Sequence, residues 1–171
     1  PLTEHGRRQA YELVHRLQQG GWRPKVLFSS PALRDVQTIE PLAMHYQLPV
    51  YFESPLWEQH YGDWEGKSVS LLRQEQPTEF SAWLAGTLVA PPNGETLAMV
   101  RGRVQDFIGK IRRDYVGETV LAVAHGSLLN NLLCVLLNTP SSAMWTYSFG
   151  TGCYAEVLLF PDHAVLHRLN T

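Results

Sequence analysis

The stretch Thr119-Val120-Leu121-Ala122-Val123-Ala124-His125-Gly126-Ser127-Leu128-Leu129 decides how the chain is read. A short run of β-branched and small apolar residues is the pattern of a buried, central strand. It ends abruptly at a titratable side chain and a glycine, and an apolar helix over Leu128–Leu137 follows, closing near Asn138 with Pro140 beyond. In open parallel sheets ligands collect outside the carboxyl ends of the strands. His125 is therefore predicted to face a crevice, and Gly126 to let the backbone approach a ligand closely. The helix beginning near Ser127 offers unpaired N–H groups to an anion. A lone histidine is more often a core residue, so this segment needs partners.

The flanking sequence supplies them. Lys25–Phe28 is a second short strand pattern, ending at Ser29-Ser30-Pro31 with Arg34 just beyond, near a helix start. A guanidinium there is a natural two-pronged clamp for phosphate, although most arginines are merely surface residues. The helix carries Leu33, Val36, Ile39 and Leu42, and Pro41 is expected to kink or restart it. Pro49–Phe52 reads as another strand. Glu53–Gly66 reads as a loop rich in aromatics, acids and glycine, with Glu58 between Trp57, Tyr61 and Trp64. An acid in such surroundings can have a raised pKa and act as a general acid near neutral pH, whereas most loop acids are simply solvated.

Upstream, Thr3 is a candidate N-cap for a helix with Ala10, Leu13, Val14 and Leu17 on one stripe, stopped by Gly20-Gly21. Short helices are predicted over Val69–Glu75 and Glu79–Leu84, then a turn at Pro91–Gly94. The clearest helix is Leu97–Tyr115, with Val100, Val104, Phe107, Ile108 and Ile111 aligned. Cys153–Phe160 and Ala164–Leu169 flank a Pro161-Asp162-His163 turn as a hairpin. The alternation of strands and helices predicts an α/β three-layer sandwich, a largely parallel sheet with helices on both faces. No repeat or linker divides residues 1–171, so they are read as a single domain.

The 171 residues have 44% hydrophobic and 18% charged side chains, an ordinary globular balance that argues against disorder. With a net charge of −2 and basic residues only in short pairs, nothing marks a nucleic-acid or membrane-surface partner. Cys134 and Cys153, the two cysteines, lie in apolar stretches without metal-ligand spacing and read as free thiols of a reducing, cytoplasmic compartment. Gly150–Ala155 matches a dinucleotide fingerprint but precedes a strand, so it reads as a turn. Ser127 lacks the nucleophile-elbow pattern. His45, His60, His15, His163 and His167 show no zinc-ligand spacing.

Taken together these segments resemble the histidine phosphatase (phosphoglycerate-mutase-like) superfamily across nearly the whole chain. Pro1-Leu2-Thr3-Glu4-His5-Gly6-Arg7-Arg8-Gln9-Ala10 matches the family's P-L-T-x-x-G-x-x-Q-A stretch, and Ser29–Thr38 its S-S-x-x-x-R-x-x-x-T segment. Glu58–Gly66 is similar to its acid loop, and Asn93-Gly94-Glu95-Thr96 and Ala124-His125-Gly126 to two further landmarks. Within the superfamily the chain is most similar to alpha-ribazole phosphatases, through Phe80-Ser81-Ala82-Trp83, Pro92-Asn93-Gly94-Glu95, Ala143-Met144-Trp145 and Gly152-Cys153-Tyr154. Phosphoglycerate mutases generally carry a longer insertion between the acid and the second histidine. Ser127 and Asn130 stand where many relatives have glycine and arginine.

The resemblance implies hydrolysis of a small phosphorylated metabolite through a phosphohistidine, in cobalamin nucleotide-loop assembly for the subfamily. A broad-specificity phosphatase or a phosphoglycerate mutase-like enzyme is the alternative within the class. Glu58 and His125 would be catalytic, and Arg34, His125 and Gly126 would hold phosphate. No metal or organic cofactor is implied, and a homodimer is allowed for. The family's nucleophile lies in an Arg-His-Gly motif ending a first strand. That strand is expected before Pro1, so residues 1–171 are read as N-terminally incomplete. No apolar strand precedes Glu4-His5-Gly6, so His5 is read as a helix-start residue. A non-catalytic relative that binds phospholigands through Arg34 and His125 is the reading from another class.

Overall fold

The computed structural model describes residues 1–171. Its first helix, α1 (Glu4–Gln19), starts at Thr3, whose side chain accepts a hydrogen bond from the Gly6 amide at 3.1 Å, and ends at Gly20. His5 is an exposed residue of its first turn, as expected. There follow β1 (Val26–Ser29), α2 (Leu33–Tyr46) and β2 (Val50–Phe52). Two 3₁₀ turns, Ser54–Leu56 and Gly62–Trp64, bracket Glu58 inside the predicted loop. Next come α3 (Val69–Glu75), α4 (Pro77–Leu84), α5 (Leu97–Asp114), β3 (Val120–Val123) and α6 (Gly126–Leu136). A third 3₁₀ segment, Ser141–Thr146, leads to the hairpin β4 (Ala155–Leu159) and β5 (Ala164–Leu169).

Strands β2, β1 and β3 form a parallel sheet in that order, with Leu27 opposite Val50 on one side and Leu121 on the other. Side chains alternate across it, as the period of two requires. Leu27 points to the face covered by α1 and α2, packing with Leu13, Val14, Leu17, Ile39 and Leu42. Val26 and Phe28 point to the opposite face, against Val100, Val104, Phe107, Ile108 and Ile111 of α5 and Leu128 of α6. Phe28 meets Phe107 edge-on, ring centres 5.4 Å apart. The result is the predicted sandwich, helices on both faces of a parallel sheet.

Two details differ from the sequence expectation. Helix α2 runs unbroken through Pro41. Pro41 is buried, and the helix continues past it despite the backbone bond its ring removes. Leu33 at the helix start is exposed rather than part of the stripe. Within residues 1–171, β3 pairs with β1, and β4 and β5 form an antiparallel hairpin sheet. The four residues of β3 are half-buried, and those of β1 are completely buried.

Because Leu27 and Phe28 are fully buried on opposite faces, β1 carries both halves of the core. Leu27→Ala should lower the unfolding free energy by about 2–5 kcal/mol, as leucine truncations in tight cores do. Urea melts of the two proteins measure it, and a change under about 1 kcal/mol would mean that this core layer collapses around the gap.

Candidate active site

Register builds the site. Ser29 is paired with Val123, and the Ser30 amide continues the ladder to the Val123 carbonyl at 2.9 Å. The residues that leave these two strands therefore emerge side by side. One exit delivers Ser30 and then Arg34 and Asp35 in the first turn of α2, and the other delivers His125 and the start of α6.

His125 is held from both sides. Nε and one terminal nitrogen of Arg34 lie 3.2 and 2.8 Å from its Nδ1, and Ser30 Oγ lies 2.8 Å from its Nε2. Arg34 can only donate, so Nδ1 is the accepting nitrogen and the ring proton sits on Nε2. Burial, then the neighbouring Arg34 and Arg103, push the His125 pKa down to about 4. The ring is therefore neutral at physiological pH. Asp35 lies behind it, its Oδ2 3.3 Å from Nε2, and both side chains are almost completely buried.

Glu58 reaches the same place from the third element. Its Oε1 accepts the amides of Gln59 at 3.0 Å and of Leu128, in the first turn of α6, at 3.1 Å. Burial raises its pKa, and these backbone bonds and Arg34 only partly oppose that. A carboxyl so placed stays protonated to higher pH than a solvated one and can give its proton to a departing oxygen. Glu58 and Arg34 share a cavity of about 520 Å³ with Trp57, His60, Glu95 and Arg103. Arg34 is exposed to it, while His125 lies buried behind Arg34. Gly126 opens α6 with an exposed backbone, so its amide is free to meet an anion.

The structure thus brings together all four predicted residues, Arg34, Glu58, His125 and Gly126. It also reveals residues that sequence reasoning passes over. Arg103 of α5 forms a two-pronged pair with Glu95 at 3.0 and 3.1 Å. A further nitrogen donates to the carbonyls of Pro55 and Trp57, each at 2.6 Å. Glu95 completes the clamp: Oε2 accepts the His60 amide at 2.9 Å, its carbonyl accepts Gln59 Nε2 at 2.9 Å, and its amide donates to the His60 carbonyl at 2.7 Å. In the sequence Glu95 stands in a landmark without a role, and Arg103 reads as one more charge on a helix. The only signal is the acid eight positions before an arginine on a helix whose other face is apolar.

Close backbone approach reinforces this clamp. Gly62 has φ +57°, and a Cβ there would collide with the Pro92 carbonyl. A Cβ at Gly94 would lie 2.7 Å from the His60 carbonyl. Farther along, Trp64 anchors the loop edge-on against Phe80 and Trp83. No three His, Cys, Asp or Glu side chains gather in a way that could hold a metal ion.

The chain is also similar to known proteins. A family model described as the histidine phosphatase superfamily (branch 1) matches residues 1–171. The adenosylcobalamin/alpha-ribazole phosphatase of Escherichia coli K12 is 33% identical over 172 residues, covering 100% of this chain and 84% of that protein. Phosphoserine phosphatase 1 of Hydrogenobacter thermophilus is 28% identical over 99% of the chain and 80% of its own length. The crystal structure of the alpha-ribazole phosphatase from Shigella flexneri superposes with a TM-score of 0.84 at 30% identity, covering 100% of this chain and 84% of that one.

Removing Arg103 leaves Glu95 without its cation and two carbonyls without their donor. Arg103→Ala should lower stability by about 2–4 kcal/mol, and Arg103→Lys, which cannot hold all four acceptors, should recover only part. Amide exchange at Gln59 and His60 should accelerate in step with the loss. Unchanged exchange at these two amides would show that the loop holds its shape without the clamp.

Proposed function

The chain belongs to the histidine phosphatase superfamily, and from that premise we propose that it hydrolyses a small phosphomonoester, with alpha-ribazole 5'-phosphate as the substrate. The observation that carries this reading is the meeting of Arg34 and Glu58 on one cavity, with His125 buried directly behind Arg34. In this reading Arg34, His125 and the Gly126 amide hold the phosphoryl oxygens and offset the charge that builds in the transition state. A histidine attacks phosphorus, the P–O ester bond breaks, and Glu58 protonates the leaving alcohol. Water then attacks the phosphohistidine while Glu58, now ionised, takes its proton. The attacking histidine is assigned to an Arg-His-Gly segment, a motif that residues 1–171 do not contain.

The cavity's lining favours an uncharged, planar leaving group. Trp57 is 45% exposed on its wall, an indole face free to stack. The remaining cation, Arg103, is already engaged by Glu95 and two carbonyls, so little is left to receive a second substrate carboxylate. That supports the alpha-ribazole reading over a phosphoserine or phosphoglycerate substrate. A cytoplasmic location belongs to the same reading, supported by two free cysteines and by the absence of any helix long and apolar enough to cross a membrane. A second reading, phospholigand binding without turnover, is favoured only by the Arg34–His125–α6 anion site being assembled within these residues.

The test is turnover by the natural full-length protein. Alpha-ribazole 5'-phosphate should be hydrolysed with kcat/KM at least about tenfold above phosphoserine or 3-phosphoglycerate. Glu58→Gln should lower kcat by about 10²–10⁴ while inorganic phosphate still binds. Preference for phosphoserine would overturn the substrate, and unchanged kcat in Glu58→Gln would remove the acid from the mechanism. Phosphate binding with no turnover of any ester would leave the second reading standing alone.

A further inference from the structure

Asp35 is the one buried acid at the site with no role in the chemistry above. Its side chain is 5% exposed, and Oδ2 has no hydrogen-bond partner. A carboxylate oxygen taken from water and left unbonded is costly unless a positive charge faces it. The nearest groups able to carry one are Nε2 of His125 at 3.3 Å and Nε of Arg34 at 3.8 Å. Burial pushes the Asp35 pKa up to about 6, with Arg34 opposing and Glu58 assisting that rise, so the group is ionised at neutral pH but weakly stabilised.

The unliganded arrangement keeps His125 neutral because Arg34 aims two donors at Nδ1. A phosphoryl dianion would draw that guanidinium to itself and free the Nδ1 lone pair. A neutral ring would then turn a bare nitrogen lone pair towards an anionic oxygen, which repels it. An imidazolium would instead donate from Nδ1 to the anion and from Nε2 to Ser30, with its charge 3.3 Å from Asp35.

We propose that Asp35 is a positioning residue for the anion site: its buried carboxylate holds a proton on His125 Nδ1 when a phosphoryl dianion draws Arg34 away. The proton comes from solvent, and it leaves again as the anion departs and Arg34 returns to Nδ1. The idea rests on Arg34 being the phosphate clamp. Charged groups facing the ring from the elements packed on it are Arg34 and Asp35 of α2, Glu58 of the acid loop and Arg103 of α5. Glu58 and Arg103 keep their places in both states. Asp35 and the departing Arg34 therefore decide the change.

Sulfate is a suitable probe, a tetrahedral dianion whose own charge is constant through the titration. In protein labelled with ¹⁵N at histidine, the two ring nitrogens report tautomer and charge directly. Without sulfate, His125 should be neutral with its proton on Nε2. Saturating sulfate should convert it to imidazolium near neutral pH. In Asp35→Asn, a close isostere, sulfate should still bind, but the apparent pKa of His125 in the bound state should fall by about 1–3 pH units. Equal titration of parent and Asp35→Asn would overturn the proposal, as would a proton on Nδ1 in the free parent protein, a result that needs no variant to fold. Sulfate that leaves the Gly126 amide and Arg34 signals unmoved would instead sink the phosphate clamp itself, and this proposal with it.

Discussion

Everything at the site depends on the parallel pairing of β1 with β3. Parallel strands run in step, so a register that sets Ser29 against Val123 also brings their downstream neighbours out side by side. His125 can then be gripped at one nitrogen by Ser30 and at the other by Arg34, although the sequence separates these residues by more than ninety positions. A slip of one residue would turn every side chain to the opposite face and exchange the two halves of the core around Leu27 and Phe28. The core and the site are thus specified by the same register, and neither can shift without the other.

Around that fixed pair the electrostatics are arranged to keep opposites unsatisfied. Burial raises the pKa of Glu58, although an amide of α6 and a guanidinium favour its ionised form. His125 is kept neutral by burial and by two arginines, and Asp35 stands behind it with a bare oxygen. The pKa of each group is shifted towards its neutral form. Such a set is poised to respond when one more charge arrives, which is the condition an anion site needs and a packed core does not.

Much of this was legible in the residues. The strand running into His125-Gly126, the stripe on α5 and the capped α1 are local patterns, and local patterns survive into the fold. Arg34, Glu58 and His125 could be singled out because each sits just past a strand or in a loop, where polar groups face solvent. Asp35 could not, since an acid in the first turn of a helix is ordinarily explained by the helix dipole alone. Arg103 was hidden for the same reason, being a normal charge on the polar side of an amphipathic helix. What distinguishes both is the burial of their polar ends against residues far away in sequence. Pro41 misled in the opposite direction: its local rule predicts a break, and the helix continues past it.

The clamp on the acid loop has an evolutionary corollary. Arg103 and Glu95 grip the segment through the carbonyls of Pro55 and Trp57 and the backbone of His60, groups that every amino acid except proline supplies. Among the gripped positions, Trp57 presents its side chain to the cavity without holding the loop by it. That position can therefore drift through mutation while Glu58 keeps its place. On the proposed function, a lineage built on this frame could exchange one leaving group for another by changing a single wall residue, with Glu58 inherited intact.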